Sequence, residues 1–263
     1  MIVTERFIYN KWADITVLSA SFTDFAYKKH CHEEYAFGVT VAGVQQFYID
    51  GSLELSYPHG VMLFNPEQVH DGMAQDKTGL KYLMLYIEPQ VFLELLEQKD
   101  IVRFSAPVVY NSTLERSIIN LANAVINAAD EAYCDELLVA FSHNFGGANL
   151  NTAHKKEDAA IKKAKEMMYY NLDDVLRLDD ICRELKISKF KFIRFFKANT
   201  GLSPYQYFLN CKVSHAKRLI EENRDVYKAV ADCGFVDLTH LNRHFKSVFG
   251  ATAYEYLIER GLD

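Results

Sequence analysis

Arg194 and Arg243 stand 49 residues apart, and each is followed by the same punctuation: Phe196-Lys197 and Gly201 after the first, Phe245-Lys246 and Gly250 after the second. A guanidinium on an exposed helix can pair with O6 and N7 of guanine through its two-pronged fork, which an ammonium matches poorly. At helical spacing, Arg194 shares its face with Lys189, Phe190, Ile193 and Lys197, and Arg243 shares its face with Leu238, Thr239, Asn242 and Lys246. The chemistry implied is base readout by Arg194 and Arg243, with Thr239 and Asn242 adding hydrogen bonds. Phe190, Ile193 and Leu238 would meet thymine methyls, and Lys189, Lys191, Lys197 and Lys246 would neutralise phosphates. A basic helix face is also an ordinary solvated surface, and one copy leaves the two readings level. Two copies with arginine at the same place favour readout.

The elements that must position these side chains are written into both copies. Upstream of each central turn the offset is 48 rather than 49, so the second turn has one extra residue. Helix, short turn, helix, written twice, predicts two helix-turn-helix units. Ser188 and Asp237 stand where a side-chain oxygen can cap the second helix of each unit, and Asp225 can cap a run opening at Val226. Gly234 can end a helix in the left-handed region; Lys186, in the equivalent place, lacks that freedom. Phe192, Phe195 and Phe196 recur at helical spacing, as do Leu241, Phe245 and Val248, so each second helix has one buried stripe. Between the units, Tyr205, Phe208, Leu209, Val213, Ala216, Leu219 and Ile220 keep a helical period from Pro204 to about Glu222. That is a rod of roughly 27 Å at ~1.5 Å per residue, against ~34 Å between successive major grooves on one face of DNA.

These residues carry a resemblance. From about Asp158 to Asp263 the chain resembles the DNA-binding domain of the AraC/XylS family of bacterial transcription regulators. Ala229, Gly234-Phe235, Asp237, Thr239, Arg243, Phe245-Lys246 and Phe249-Gly250 carry it in the second unit. Ser188, Arg194, Phe196-Lys197, Gly201 and Ser203-Pro204 carry it in the first, followed by Ala216 and Leu219. The chain departs from the family pattern at Lys186 for glycine, Lys212 for arginine and Ala253 for proline, sites of packing or phosphate contact. The resemblance implies double-stranded DNA and RNA polymerase as partners, a small-molecule effector, and activation as the commoner output.

Composition agrees with such a protein. With 263 residues, 49% of them hydrophobic and 24% charged, the chain has room for two domains. The net charge of −6 hides an asymmetry: residues 1–150 hold 9 Lys/Arg against 19 Asp/Glu, and residues 151–263 hold 20 against 16. The acidic half is a poor match for nucleic acid, and the mildly basic half must rely on placed contacts as much as on a broad field. No run approaches the ~18 apolar residues of a membrane span, and Met1 to Asn10 does not read as a signal peptide. Cys31, Cys134, Cys182, Cys211 and Cys233 are odd in number and scattered, which suits reduced thiols in the cytoplasm.

The first half reads as β-rich to about Glu88. Short β-branched or aromatic runs at Tyr35–Val41, Val44–Ile49, Leu53–Leu55, Val61–Phe64 and Leu80–Ile87 are divided by Ala42-Gly43, Asp50-Gly51, Pro58-His59-Gly60 and Asn65-Pro66. His30-x-His32, Gly43, Gly60, Pro66 and His70 are spaced in a way that resembles the cupin-type sensor domain preceding the DNA-binding domain in many members of that family. Three imidazoles at such positions raise metal-dependent chemistry as an alternative. The metal-binding cupin pattern wants a carboxylate beyond the second histidine, where Ala36 and Phe37 stand, and Glu33 and Glu34 lie too close. The expectation is therefore no metal, no cofactor and no catalytic residue. His30, His32, Tyr35, Phe37, Phe64, His70 and Tyr82 are the candidate effector pocket; which strand face points inward stays open. A module gated by a protein partner is the other alternative.

From Pro89 the period becomes helical. Leu114, Ile118, Leu121 and Val125 form a narrow seam beside Ala122, Ala128 and Ala129. It suits either a homodimer contact, as in the family, or packing on the chain's own barrel. A further helix spans Glu131 to Phe141. Gly146 to Thr152 has linker composition. The expected organisation is α+β with two domains: a cupin-like β-barrel with flanking helices at 1–145, a linker at 146–157, and an all-α domain at 158–263 with two helix-turn-helix units joined by a long helix.

Overall fold

The structure is a computed structural model that describes residues 5–145 and 158–259; the linker expected at 146–157 lies outside the described residues. The chain divides into two compact modules, Met1–Ala26 with Cys31–His154, and Tyr27–His30 with Lys155–Asp263.

The strands are β1 (Arg6–Trp12), β2 (Ile15–Phe22), β3 (Ala26–His30), β4 (Tyr35–Ala42), β5 (Gln45–Ile49), β6 (Ser52–Ser56), β7 (Val61–Phe64), β8 (His70–Ala74), β9 (Leu80–Ile87) and β10 (Val108–Val109). They form cupin-like antiparallel sheets, ordered β1-β2-β9-β4-β7-β10 and β3-β8-β5-β6. The Asp50-Gly51 turn closes the β5–β6 hairpin with φ of 49° and 84°, the left-handed pair that matches strand twist.

Period-two alternation sorts β4 into two faces. Tyr35, Phe37 and Val39 join Val61, Leu63, Leu83, Leu85 and Ile87 in a core against the helices. Those helices are α1 (Pro89–Leu95), α2 (Ser112–Ile126) and α3 (Glu131–Ser142), followed by a 3-10 turn at His143–Phe145. Tyr35 lies 4.7 Å from Phe92 between ring centroids, and Phe37 lies 5.0 Å from both Phe92 and Phe141. One expectation is corrected here and one open alternative is decided. Tyr35 and Phe37 are not pocket residues, because strand alternation turns them away from the barrel interior. The seam Leu114, Ile118, Leu121 and Val125 is buried in this same core, so it packs on the chain's own sheet and does not offer a dimer surface.

The carboxyl-terminal module holds α4 (Ala159–Tyr169), α5 (Leu178–Leu185), α6 (Lys189–Thr200), α7 (Pro204–Asn223), α8 (Val226–Asp232), α9 (Leu238–Phe249) and α10 (Ala253–Glu259). The caps fall where the sequence places them. Ser188 accepts from Lys191 N, Asp225 from Tyr227 N and Lys228 N, and Asp237 from His240 N. Phe192 and Phe196 on α6, and Leu241 and Phe245 on α9, are fully buried. The connecting helix α7 has 20 residues, a rod of about 30 Å. A reciprocal capping box starts it: Gln206 N donates to Ser203 Oγ, and Ser203 N donates to Gln206 Oε1.

Candidate functional site

The second helix of each repeat is anchored through its aromatic stripe and presents the opposite stripe to solvent. On α6, Lys189, Phe190, Lys191, Arg194 and Lys197 are exposed, Phe190 at 78%, and Ile193 is half-buried. On α9, Thr239 and Arg243 are exposed and Leu238, Asn242 and Lys246 are half-buried. The fold thus puts the first-copy residues on one exposed stripe and leaves the second-copy stripe more mixed. Val236, in the turn before α9, is 85% exposed. Its apolar side chain at the start of the exposed stripe was passed over in the sequence because turn residues carry no periodicity.

Local partners differ between the two helices. Lys189 Nζ pairs with Asp179 Oδ1 on α5 at 2.7 Å; both side chains are exposed, so solvent screens the pair and a phosphate can replace the carboxylate. Arg243 donates to His244 Nε2 at 3.2 Å. Burial, with His240 and Arg243 close by, pushes His244 down to about 4, so its imidazole is neutral and accepts that bond. Asn242 needs a correction. Its Oδ1 accepts from Ala253 N of α10 at 3.0 Å, so the oxygen that a bidentate contact to adenine requires is already engaged.

The barrel interior is lined from both sheets. The inner face of sheet β1-β2-β9-β4-β7-β10 includes Gly38, where a Cβ would lie 2.7 Å from Met62 Cε and 2.8 Å from Met84 Cε. Phe64 meets Phe47 at 5.2 Å and His70 at 4.3 Å, and His32 stands 5.0 Å from His70 and 5.3 Å from Tyr86. His32, Phe64 and His70 are therefore brought together. Tyr82 packs instead against Phe22 at 6.2 Å, and His30 against Tyr27 at 5.9 Å. Each of the three histidines places Nδ1 within 2.7–2.8 Å of a backbone carbonyl, that of Lys28, Glu34 or Gln68, which assigns the ring proton to Nδ1. Among the described residues no group of three His, Cys, Asp or Glu is placed to hold a metal ion. Gln45, missed in the sequence, is 4% exposed on β5, and its Oε1 is buried with no hydrogen-bond partner. Nearby in register, Ser56 and Thr40 bond to one another at 2.7 Å.

Comparisons with known proteins agree with both halves. Residues 13–142 match the AraC-like ligand binding domain, and residues 181–258 match a helix-turn-helix domain. The HTH-type transcriptional regulator YbfI of Bacillus subtilis is 22% identical over 224 residues, covering 82% of this chain and 81% of that protein. The Msm operon regulatory protein of Streptococcus mutans is 22% identical over 268 residues, covering 95% and 96%. Among solved structures, ToxT from Vibrio cholerae superposes with a TM-score of 0.61 at 16% identity, covering 94% of this chain and 98% of that one. An unsaturated fatty acid bound ToxT gives 0.63 at 17%, covering 97% and 98%. The chain belongs to the AraC family of transcriptional regulators, with a ligand-binding domain followed by a DNA-binding helix-turn-helix domain.

Proposed function

We propose that α6 and α9 enter successive major grooves of one operator, that Arg194 and Arg243 read guanine in each half-site, and that an effector in the barrel interior governs this binding. The observation that carries the reading is the placement of Arg194 and Arg243 at equivalent exposed positions on two capped helices of one chain. Lys191 and Lys197 are the phosphate anchors, joined by Lys189 and Lys246. Phe190, Ile193, Leu238 and Thr239 face bases, and Asn242 holds the fold. The output is activation, through contact with RNA polymerase in the cytoplasm, and no residue is assigned a catalytic role.

The effector proposed is a small molecule with an apolar body and one hydrogen-bond donor. The apolar interior of Phe47, Met62, Phe64 and Met84 supports the first feature, and the buried Gln45 Oε1 supports the second. A fatty acid is the ligand named for one ToxT structure. Its hydrocarbon tail meets the apolar requirement, and a protonated carboxyl or a hydroxyl meets the other.

Selection of binding sites from randomised duplex DNA by the full chain tests the reading. Enrichment of a two-part motif with guanines about one helical turn apart is expected. Recovery of unselected sequence would overturn it. In parallel, melting of the wild type and of Gln45→Leu against fatty acids and fatty alcohols tests the effector. A midpoint that rises with ligand concentration in the wild type alone is expected.

A further inference from the structure

Lys212, midway along α7, is the one lysine or arginine in the buried class among the described residues, at 5% exposure. A buried ammonium needs compensation, and its surroundings come from both repeats. Nζ donates to Gly234 O in the α8–α9 turn at 3.3 Å. It lies 5.0 Å from the centre of the Phe208 ring and 5.8 Å from that of Phe235. Phe208 belongs to the core of the first repeat with Ile181, Phe192 and Phe196, and Phe235 belongs to the turn of the second. Burial lowers the affinity of Lys212 for its proton, while Cys233, Asp174 and Asp173 act to hold the charge. Asp173 and Asp174 lie in the segment between α4 and α5. One charge thus spans both repeats.

Gly234 adds a second, independent contact between the repeats. A Cβ there would lie 2.1 Å from the backbone oxygen of Asp173 and 3.2 Å from Lys212 Nζ. The equivalent residue of the first repeat is a built-in control. Lys186 adopts almost the same left-handed backbone, φ 54° against 58°, yet carries a full, exposed side chain. The turn therefore tolerates a side chain, and glycine at 234 answers the close approach of the Asp173 carbonyl.

We propose that Lys212, with Gly234 and the Asp173 carbonyl, is a lock that fixes the distance and twist between α6 and α9, and so selects the base-pair spacing between the two half-sites. Lys212 is a positioning residue without contact to DNA. The proposal rests on the reading of α6 and α9 as the two DNA readers. Spacing is a sensitive readout, because each added base pair shifts a half-site by about 3.4 Å and rotates it by about 35°.

The test is site selection from randomised duplexes with the full-length wild type, Lys212→Met, Lys212→Arg and Gly234→Ala, reading the distribution of spacings between the two enriched half-sites. Lys212→Met keeps an unbranched apolar stem one atom shorter and removes the charge. One dominant spacing is expected for the wild type and for Lys212→Arg, and a spread over neighbouring spacings for Lys212→Met and Gly234→Ala. On duplexes with one inserted base pair, the wild type is expected to lose roughly tenfold or more in affinity, and Lys212→Met a smaller factor. The same single spacing in all four proteins would overturn the lock while leaving the DNA reading intact. Failure of both Lys212→Met and Gly234→Ala to fold, judged by circular dichroism, would overturn it too, by making the cluster a folding element. No two-part motif from the wild type would sink the DNA reading itself.

Discussion

Asn242 on α9 holds the first turn of α10 through a 3.0 Å bond from Ala253 N to its side-chain oxygen. A polar residue on the edge of a recognition helix thus supports the next helix by satisfying one of its otherwise unpaired N–H groups. Asn242→Ala is expected to cost about 1 kcal/mol in urea unfolding and to weaken specific and random DNA alike. Asn242→Asp keeps an acceptor and should restore most of the stability. Loss of discrimination at one base with unchanged stability would return Asn242 to base readout.

Leu121 is fully buried between α2 and the sheet. Leu121→Ala should therefore destabilise by roughly 2–5 kcal/mol, seen as a lower melting midpoint. Its sedimentation coefficient should match that of the wild type. A variant that melts normally but changes oligomeric state would restore the seam as a dimer contact.

Tyr35 donates its hydroxyl to Val102 O at 2.7 Å, and burial pushes its pKa to about 12. An unfolded phenol ionises near 10.0, so between pH 10 and 12 the unfolded state has released its proton while the folded state retains it. Stability then falls as pH rises through this window and is fully present below it. Tyr35→Phe should flatten that part of the profile of wild-type stability against pH. Identical slopes for the two proteins would show that the phenol does not contribute.

Lys186 carries a left-handed backbone at the end of α5. Lys186→Gly relieves that conformation and should be neutral or stabilising by up to about 1 kcal/mol. Gly234→Ala, at the matching turn, should be destabilising. Chemical denaturation of the two variants side by side checks the contrast, and equal effects would remove the argument that Asp173 dictates the glycine.

Much of the carboxyl-terminal module was legible because its signals are local. Caps at Ser188, Asp225 and Asp237 and the stripes of Phe192/Phe196 and Leu241/Phe245 depend only on neighbours within a few residues. Strands with clear turn punctuation, such as Val61–Phe64 and Leu80–Ile87, were legible for the same reason. β2 was not, since it is buried on both faces and shows no clean alternation. Tyr35 and Phe37 are pocket candidates in the sequence yet pack against the helices, because period two tells which residues share a face and not which face looks inward. The roles of Lys212, Gln45 and Asn242 were illegible, because each depends on a partner from another element.

Base readout by the two arginines is tested most directly by binding of Arg194→Ala and Arg243→Ala to an operator selected by the wild type, and to variants of it altered in one half-site at a time. Each substitution is expected to cost about 1–3 kcal/mol and to erase preference at one half-site only, a different one for each arginine. Lys197→Ala should weaken all sequences and lower the salt dependence by about one unit. Equal losses for both arginine variants on the operator and on random DNA would contradict base readout by α6 and α9.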